Sequence, residues 1–595
     1  MTTVGAGCST PAEHAESATV HAFLNCYLRE TNDGDVIAAN ESPVDGEGDV
    51  VRLSLDEQGM TVFAPLRYES ATGRHLFDLP VYTRGRDDAL AALDAGSLAA
   101  LVCRELALAA DGENASTGAD LLRRVLVSRA AIERFVGERS DLTQLCEPGT
   151  TFRDAEQSLL YGHLLHPTPK SREGISPHDV PTYAPELAGS FQLRYFAADP
   201  SIVTEWSARD GSASEWVQQA LADDRPPAAT AAMEEGRVLV PTHPWQADHL
   251  RSQEHVEVAL SSDELVDLGT FGPTFYPTTS VRTLWSPDAP FMVKGSLAVE
   301  ITNAERTNKR PELARGVAVS DLLETEFGDR LHEMWPRFRV VEDPAALTLE
   351  LGEGPESGFE TVLRENPFRG SDAANVSPVV ALCQDGVDGP SRLARVVRDI
   401  AERTGRPEDA VAREWFREYL AVTVRPILWT YFELGVGMEA HQQNTLLRLN
   451  EAGWPAEGYY RDNQGYYFPE SRYERVDAWL PGVGDRAGTI CPDSVADERL
   501  RYYIICNNAF GVVNALGVAG LAPERALLDD LRSALESLRV SEPPSSELVS
   551  VSLTESQIPC KGNLLTRFRG LDELEESLEN QSVYVDIENP IVTRT

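Results

Sequence analysis

Apolar and polar residues alternate regularly between residues 291 and 302. Apolar side chains recur at odd-numbered positions from Phe291 to Ile301, whereas Lys294, Glu300 and Thr302 lie at even-numbered positions. A period of two is the period of a strand with one apolar and one polar face. We therefore predict a strand here whose polar face points to solvent or to a ligand.

Helical spacing of apolar residues occurs in four segments, and each is predicted to be a helix. These segments are residues 89–108, 119–135, 408–434 and 499–521. Pro426 is expected to interrupt the third helix, because proline lacks the backbone donor, and Gly435 is expected to end it. A short apolar strand is predicted at residues 237–240.

The chain has 595 residues, 42% of them apolar, which suggests two to four domains with sizeable cores. Segments rich in Gly, Pro and acidic residues at 352–358 and 385–390 are the best candidates for a domain boundary. The N-terminus lacks the pattern of a signal peptide, and the most apolar early segment, 91–110, is interrupted by charged residues. We therefore expect a soluble, cytoplasmic protein without a membrane span.

The eight cysteines are scattered along the chain without a CxxC pair or the spacing of metal ligands. That spacing is typical of free thiols in a reducing compartment. It argues against a zinc or iron–sulfur site built on cysteine.

The formal net charge is −41. Nucleic acids and anionic membranes bind positive surfaces, so the charge argues against both as partners. An acidic, lysine-poor chain is typical of a protein that works in concentrated salt, and we interpret the acidity as a halophilic adaptation of the surface. The few lysines that remain are therefore expected to have specific functions; they are Lys170, Lys294, Lys309 and Lys561.

A first group of polar residues surrounds the predicted strand. It comprises Ser280, Arg282, Thr283, Lys294, Thr302 and Arg306. Arginine binds phosphate or carboxylate through two parallel hydrogen bonds, and lysine supplies a point charge, so the group is a plausible anion site. A set of structural ion pairs is the alternative interpretation of the same residues.

A second group follows the glycines that end the 408–434 helix. It comprises residues 439–444, with the sequence E-A-H-Q-Q-N, and then Arg461 and Asp462. Polar residues packed this densely make a poor core, and an Asn followed by an Asp is one way to hold the Mg²⁺ of a nucleotide. A hydrogen-bonded polar turn is the alternative.

A third group, residues 162–172, contains two histidines three positions apart but no further ligand at a metal-binding spacing. Anion contacts through Lys170 and Arg172 are the better interpretation. The chain contains no Walker A, dinucleotide-binding or G-x-S-x-G motif. The common nucleotide-binding folds and the serine hydrolases therefore lose support.

Taken in order, these groups resemble the NRPS-independent siderophore (NIS) synthetases of the IucA/IucC family. One departure is Leu164, where the family often has proline. The resemblance covers residues 161–567. Its motifs are G-H-x-x-H-P-x-x-K-S-R-x-G (162–174), H-P-W-Q (243–246), P-T-T-S-V-R-T (277–283), K-G-S-L-A-V-E-I-T-N-A-x-R (294–306), E-A-H-Q-Q-N (439–444), R-D-x-x-G (461–465) and K-x-x-L-L-T-R (561–567).

The resemblance implies an α/β (α+β) fold with a cupped, three-part architecture. Residues 1–155 would form a mainly helical thumb, residues 156–358 the fingers, and residues 359–595 the palm. The active site would lie in the cleft between fingers and palm, as expected for a site at a domain interface. A homodimer is also implied.

The resemblance also implies a role for each motif residue. Arg282, Lys294, Arg306 and His441 would be catalytic. ATP would be held by Ser280, Arg282, Thr283, Lys294, Arg306, Glu439, Gln443, Asp462, His166 and Lys170. The carboxylate to be activated would contact Ser280, Arg282, Thr302, Arg306, His441 and Asn444. The Mg²⁺ ligands would be Glu439, Asn444 and Asp462.

The implied reaction is the ATP-dependent adenylation of a citrate-type carboxylate, followed by condensation with an amine or N-hydroxylamine to give a siderophore, AMP and pyrophosphate. Two alternatives are a ferric-siderophore binding or reductase-type protein and a kinase-like phosphotransferase. The motifs do not identify the carboxylate or the amine. The sequence around H-P-W-Q favours the later condensation, in which a citrate monoamide receives its second arm.

Overall fold

The computed structural model describes residues 4–5, 7–85, 89–110, 115–221, 225–302, 304–387, 389–462, 464–571 and 582–593. No helix within these ranges is long and apolar enough to cross a membrane. Short 3₁₀ helices occupy Ala39–Glu41, Pro185–Leu187, Pro200–Ile202 and Gly370–Ala373.

The N-terminal part joins three long helices to a six-stranded antiparallel sheet. Its elements are α1 (Pro11–Thr31), β1 (Asp35–Ile37), β2 (Val50–Leu55), β3 (Met60–Tyr68), β4 (Leu76–Phe77), β5 (Val81–Arg84), β6 (Leu90–Leu93), α2 (Ala95–Ala109), α3 (Ala115–Glu138) and α4 (Phe152–Glu156). The strand order is β1-β2-β3-β5-β6, with β4 paired to β3. Both predicted helices are present, but the first begins at Ala95, because the start of the predicted segment 89–108 forms strand β6. The sheet was missed because its strands are short and separated by polar turns.

A capping box fixes the start of α1. Thr10 Oγ1 accepts a hydrogen bond from Glu13 N at 3.3 Å, and the Glu13 carboxylate accepts one from Thr10 N at 3.0 Å. Pro11 occupies the first helical position, where its missing N–H costs no hydrogen bond. The buried face of α1 packs on the six-stranded sheet and on Leu564 and Phe568 from the far end of the chain.

The middle part is built on an eight-stranded antiparallel sheet. Its elements are β7 (Arg172–Glu173), α5 (Val180–Tyr183), β8 (Phe191–Ala198), β9 (Val203–Ser207), α6 (Ala213–Ala220), α7 (Pro227–Glu234), β10 (Val238–Thr242), α8 (Pro244–Leu250), α9 (Glu254–Ser261), β11 (Leu265–Pro277), β12 (Thr283–Trp285), β13 (Phe291–Gly295), β14 (Leu297–Ile301), β15 (Ala304–Arg306), α10 (Arg310–Leu323), α11 (Glu326–Met334), β16 (Phe338–Val341), β17 (Ala345–Leu349) and β18 (Thr361–Glu365). The sheet order is β10-β8-β11-β12-β13-β18-β17-β9.

The single strand predicted at 291–302 is two strands in different sheets. β13 pairs with β12 and β18, whereas β14 pairs with β15 and β7, and the chain changes sheets at Ser296. The alternating pattern continues through the break, because Ser296 is buried and its hydroxyl donates to Glu360 at 3.1 Å. The predicted polar face is therefore a buried, hydrogen-bonded face at Lys294 and Ser296.

The C-terminal part is mainly helical around three small sheets. Its elements are β19 (Val376–Pro378), α12 (Val379–Cys383), α13 (Arg392–Thr404), α14 (Glu408–Val422), α15 (Val424–Trp429), β20 (Gly437–Met438), β21 (Thr445–Leu449), β22 (Pro455–Arg461), β23 (Tyr466–Pro469), α16 (Glu470–Trp479), α17 (Val483–Ala487), β24 (Ile490–Cys491), α18 (Asp493–Leu500), α19 (Phe510–Val518), α20 (Glu524–Leu538), α21 (Leu548–Thr554), β25 (Gln557–Lys561), α22 (Asn563–Phe568) and β26 (Tyr584–Glu588). Its sheets have the orders β16-β22-β21-β19, β20-β23-β24 and β25-β26.

The two long C-terminal helices were predicted, but the break in the first and the start of the second differ from the prediction. The helix at 408–434 breaks at Thr423, between α14 and α15, and Pro426 lies in the first turn of α15, where its missing donor is tolerated. A π-helical segment, Thr430–Leu434, then leads to Gly435 with φ +77°. The predicted 499–521 helix begins earlier, at Asp493, and contains a π-helical segment at Arg501–Ala509. π-Helical segments are frequent at functional sites, and this one lines the cavity described below.

The boundary predicted at residue 358 falls inside one sheet. The segment 352–358 connects β17 to β18, which pair with each other, so the eight-stranded sheet continues to Glu365. Before that hairpin, β16 does not join this sheet but pairs in parallel with β22 of the C-terminal part. Strands of the middle and C-terminal parts are therefore interleaved along the chain between residues 338 and 365. Of the two Gly-rich segments, only 385–390 comes after this interleaved stretch. The three-part division itself stays a prediction.

Candidate active site

A cavity of about 380 Å³ lies where the three parts meet. Residues of all three parts line it, including Arg74 from the N-terminal part, Arg364 from the middle part and Tyr503 from the C-terminal part. All the predicted site residues line it as well: His166, Lys170, Ser280, Arg282, Thr283, Lys294, Thr302, Arg306, Glu439, His441, Gln443, Asn444 and Asp462. Predicted site residues as far as 296 positions apart in the chain, such as His166 and Asp462, therefore share one space.

Two strained residues lie at or beside the cavity, in the motifs that the sequence predicted to bind an anion. Val281 has φ +67° and Thr302 has φ +58°, a region that β-branched residues rarely adopt. A tight turn holds Val281, whose N–H donates to Thr278 O at 2.8 Å, while Thr283 N donates to Ser280 Oγ at 3.1 Å. Strain of this kind persists only where surrounding contacts fix the backbone, and it concentrates at functional sites.

Arg282 is a buried cation whose hydrogen bonds go to neutral oxygens. Nη1 donates to Arg306 O at 3.0 Å and to Asn308 Oδ1 at 2.9 Å, and Nη2 donates to Gln464 Oε1 at 3.2 Å. Burial lowers the pKa of the guanidinium to about 10. It is still charged at neutral pH, and these neutral acceptors leave its charge available to an anion in the cavity.

Lys294 forms a buried ion pair with Asp462. Nζ lies 2.9 Å from Asp462 Oδ1, which joins the middle and C-terminal parts across the cavity. Burial, helped by the nearby Arg282 and Arg364 and opposed by Asp462, lowers the pKa of Lys294 to about 8. Lys294 is thus held near the point where it loses its charge.

A tight turn after β20 presents His441 and Asn444. Nδ1 of His441 accepts hydrogen bonds from Gln443 N at 3.2 Å and Asn444 N at 3.4 Å. Burial lowers the pKa of His441 well below its ordinary value, so the ring is neutral. Because Nδ1 is the acceptor, the ring proton is on Nε2, which lies 4.0 Å from Glu439 Oε1 and can donate to a ligand.

Asn444 orients the Asp462 carboxylate. Its Nδ2 donates to Asp462 Oδ2 at 3.3 Å and to the main-chain oxygen of Glu439, also at 3.3 Å. With Lys294 on Oδ1 and Asn444 on Oδ2, the Asp462 carboxylate is fixed from both sides. Glu439, which the sequence predicted to share a Mg²⁺ ion with Asp462, also lines the cavity.

Arg306 and Thr302 form a second anion-facing pair. Arg306 Nη2 donates to Thr302 Oγ1 at 2.9 Å and to Ile301 O at 3.0 Å. The main-chain oxygen of Arg306 accepts from Arg282, so the two arginines are linked. Arg282 and Arg306 both line the cavity, together with the strained Thr302.

A buried ion pair that the sequence interpretation missed holds the three parts together beside the site. Arg461 Nη1 lies 2.5 Å from Glu156 Oε1, and Glu156 Oε2 accepts from both Thr279 N and Thr279 Oγ1 at 2.9 Å. Gln443 Nε2 donates to the same Thr279 hydroxyl at 3.2 Å. Thr279 and Arg461 belong to motifs that the sequence indicated, but Glu156 lies in a short helix and carries no sequence signal.

Lys170 and His166 line the cavity but are engaged by the protein. Lys170 Nζ forms ion pairs with Glu186, which also binds Arg172 at 2.5 Å, and His166 Nδ1 accepts from Thr168 N at 3.1 Å. Burial lowers the pKa of Lys170 to about 8, and Glu186 opposes that shift. These contacts favour a role in fixing the 162–172 loop, so their predicted closure over phosphates is not what this geometry favours.

Arg364 is a further buried cation that the sequence interpretation missed. It forms two parallel hydrogen bonds with Asp343, at 2.7 and 2.8 Å, and lines the cavity behind Lys294. It belongs to a strand of ordinary composition, so no local pattern marks it.

By contrast the lysine count was informative, since Lys170, Lys294 and Lys561 all line the cavity. The remaining lysine, Lys309, precedes α10.

Comparison with known proteins identifies two family models along the chain. Residues 151–384 match the IucA / IucC family, and residues 413–576 match the ferric iron reductase FhuF-like transporter family. The second match corresponds to the reductase alternative, but it covers only part of the chain. Full-length relatives extend over both regions.

Among curated relatives, a spermidine-citrate ligase of Bacillus anthracis is 38% identical over 97% of this chain and 98% of its own length. The rhizobactin siderophore biosynthesis protein RhbC of Rhizobium meliloti is also 38% identical, over 98% of each chain. An N(2)-citryl-N(6)-acetyl-N(6)-hydroxylysine synthase of Escherichia coli is 29% identical over 97% of this chain and 98% of its own.

Among solved structures, ATP-bound aerobactin synthetase IucA from Klebsiella pneumoniae has a TM-score of 0.87, with 27% identity over 97% of this chain and 100% of that one. The predicted α+β fold and the predicted family are both confirmed. The shared length and the 38% identity to two full-length relatives, together with the family model over residues 151–384, show that the chain belongs to the IucA/IucC family of siderophore synthetases.

Proposed function

We propose that this protein is an ATP-dependent ligase of siderophore biosynthesis that adenylates a carboxylate of citrate and condenses it with an amine. The observation that carries the proposal is the shared cavity, in which Arg282, Lys294, Arg306 and His441 face one space. Full-length relatives named as citrate–amine ligases support the reaction type. An ATP-bound relative of the same fold supports ATP as the co-substrate.

The first chemical difficulty is repulsion between two anions. A citrate carboxylate oxygen must approach the α-phosphorus of ATP, and at short range in a dry site this repulsion amounts to several kcal/mol. Arg282 and Arg306, linked through the Arg306 carbonyl, together with Lys294, supply fixed positive charge in the same cavity. Attack forms the new P–O bond, breaks the bond to the β-phosphate and releases pyrophosphate. Charge accumulates on that leaving group, so the three cations act most strongly in the transition state.

His441 contributes as a neutral hydrogen-bond donor. Its Nε2–H is directed by the two main-chain donors on Nδ1, so it can hold a carboxylate oxygen of citrate without adding charge. Thr302 and Arg306 provide a second contact for the same substrate. In the second half-reaction, the amine nitrogen attacks the acyl carbon of the citryl adenylate, AMP leaves, and one proton is released.

The residues present fit a Mg²⁺ carried by the nucleotide. No group of three or more His, Cys, Asp or Glu within the described ranges is arranged to hold a metal ion by itself. Mg²⁺ in nucleotide sites commonly uses one or two carboxylates and completes its shell with phosphate oxygens and water. Glu439 and Asp462 would hold it, and Asn444, which donates to the Asp462 carboxylate and to the main-chain oxygen of Glu439, would position the Asp462 carboxylate. When bound, the ion would neutralise phosphate charge.

The similarities favour citrate itself as the carboxylate. The relatives at 38% identity include a spermidine-citrate ligase, and the structure at TM-score 0.87 is IucA, whereas IucC has a TM-score of 0.71 at 19% identity. The sequence had favoured the later condensation on a citrate monoamide, and we now propose the earlier one. For the amine we propose a diamine or polyamine such as spermidine. The homodimer and the cytoplasmic location stay predictions.

An ATP–pyrophosphate exchange assay in concentrated potassium chloride tests the proposal. Citrate should support exchange, and addition of spermidine or another diamine should yield AMP and an amide. Arg306→Ala should lower kcat/KM by about two to three orders of magnitude, by analogy with the loss of one oxyanion donor. Arg310→Ala is the matched control, because Arg310 pairs with Glu350 outside the cavity. ADP as the product, or full activity of Arg306→Ala, would contradict the assignment.

A further inference from the structure

Three cysteines that are far apart in sequence meet beneath the candidate active site. Cys26 of α1, Cys506 of the π-helical segment and Cys560 of β25 line a small cavity of about 10 Å³, room for one water molecule. Arg29, Leu165, Tyr502, Cys506, Asn507, Lys561 and Asn563 line both this cavity and the larger one. All three thiols are buried, and Cys506 itself lines the larger cavity.

Arg29 holds the Cys560 sulfur in an unusual setting. Arg29 Nη2 donates to Cys560 Sγ at 3.3 Å, and Nε and Nη1 of Arg29 have no hydrogen-bond partner among the described residues. The adjacent carboxylate of Glu30 accepts from Leu564 N at 2.9 Å and from Leu565 N at 2.8 Å. The closest group that can become an anion for this guanidinium is therefore the Cys560 thiol.

The charge state of Cys560 follows from these contacts. Burial opposes ionisation, but the hydrogen bond from Cys506 and the Arg29 guanidinium outweigh it and lower the pKa of Cys560 to about 7. The other partner, Cys506, has a pKa well above its ordinary value because it donates to Cys560 and is buried. At neutral pH Cys560 is therefore partly ionised while Cys506 keeps its proton, and a thiolate beside a thiol is the combination that disulfide formation requires.

We propose that Cys560 and Cys506 form a peroxide-sensitive thiol pair, whose oxidation to a disulfide stops the ligase reaction. The regulatory half of this inference rests on the proposed function. The Cys560 thiolate attacks a peroxide oxygen, the O–O bond breaks, and hydroxide leaves and takes up a proton, giving a sulfenic acid and water. The Cys506 sulfur then attacks the sulfenic sulfur and expels a second water. In total, two thiols and one hydrogen peroxide give one disulfide and two waters.

The coupling to the active site follows from the neighbours of each cysteine in the chain. Lys561 follows Cys560 and lines the large cavity, while Asn507 follows Cys506 and contacts His163 at 2.9 Å. A disulfide pulls these two residues together and removes the thiolate from Arg29. A buried guanidinium without an anion is strongly destabilising, so the surrounding wall is expected to rearrange. We expect the ligase rate to fall at least tenfold.

The thiol chemistry can be tested without any assumption about function. The full-length protein is treated with hydrogen peroxide, alkylated and digested, and the peptides are analysed by mass spectrometry. The expected product is a Cys506–Cys560 cross-linked peptide that disappears after treatment with dithiothreitol. Cys506→Ser should instead stop at a sulfenic acid on Cys560, which dimedone labels. Arg29→Met should slow the reaction several-fold at pH 7. Cys103→Ser, a change at a buried thiol elsewhere, should leave the cross-link unaffected.

Activity measurements then separate the two levels of the inference. Pyrophosphate release by the wild-type protein should fall at least tenfold after peroxide and recover with dithiothreitol. Cys506→Ser loses the Cys560 thiolate but cannot form the disulfide, so it should lose a smaller factor of its own starting rate than the wild-type protein does. Absence of the cross-linked peptide would overturn the thiol pair. A cross-link without loss of activity would overturn the regulatory role. If the reduced protein has no ligase activity, the proposed function fails, while the cross-link still decides the thiol chemistry.

Discussion

The pH dependence of nucleotide binding should report the charge of Lys294. The perturbation is a rise from pH 7 to pH 9, which crosses the lowered pKa of about 8 of this buried lysine. Below pH 8 the ammonium is present and attracts the phosphates. Above pH 8 the charge is progressively lost in the free protein. ATP can then interact with the ammonium group only if Lys294 takes up a proton when ATP binds.

The size of the effect follows from the pKa. If ATP binds only the charged form, the apparent affinity scales with the charged fraction, which is about 0.9 at pH 7 and about 0.1 at pH 9. The affinity should therefore fall about tenfold over that range, with uptake of about half a proton at pH 8.

The same shift fixes the sign of the effect on stability. The folded-state pKa lies below the ordinary value of 10.5, so the unfolded chain holds the extra proton between pH 8 and 10.5. Burying the charged lysine costs on the order of 3 kcal/mol below pH 8, and this cost disappears as the pH rises through that window.

Calorimetric titration with ATP at pH 7, 8 and 9, in two buffers of different ionisation enthalpy, measures both affinity and proton uptake. Lys294→Arg is the matched control, because arginine keeps its charge and should flatten the profile. Lys170 and Glu30 titrate in the same pH range but are unchanged in this variant. A flat profile for Lys294→Arg would therefore assign the pH dependence to Lys294 and not to these two residues. An affinity that is constant from pH 7 to 9, with no proton uptake at pH 8, would refute the reasoning.

Three further predictions follow from the same structure. Asp462→Asn removes the group that raises the pKa of Lys294, so the midpoint of the same pH profile should move below 8. Glu156→Gln leaves Arg461 buried without its anion and should lower the free energy of unfolding by about 3–5 kcal/mol, measured by urea denaturation, whereas a loss under 1 kcal/mol would contradict the interpretation. Because a net charge of −41 repels itself, the melting temperature should rise with potassium chloride from 0.1 to about 2 M, and a fall would contradict the halophilic interpretation.

Sequence motifs located most of the cavity wall because chemistry limits which residues can hold an anion. Arginine, lysine and hydroxyl side chains beside a strand were sufficient to indicate Ser280, Arg282 and Lys294, and all of them line the cavity. The rarity of lysine in so acidic a chain added independent support. The roles of these residues stay predictions until the variants are measured.

The amphipathic periods determined the long helices and some of the strands. They failed at Ser296, where the chain moves from one sheet to another without changing its alternation. They failed also at residue 358, because a Gly-rich hairpin loop and a domain linker have the same composition. The pattern of apolar residues along the chain reflects local conformation. It does not show which strands pair with each other in the folded protein.

Only the tertiary structure decided which charges are neutralised and which face the cavity. The sequence does not distinguish Lys170 from Lys294, since both are rare lysines within motifs. In the structure Glu186 binds Lys170 within a loop, whereas Asp462 binds Lys294 across the cavity. The contact between Arg29 and Cys560 joins residues 531 positions apart. Burial and Coulomb interaction depend on distance in space, and the linear chain by itself determines residue types and local periods but not those distances.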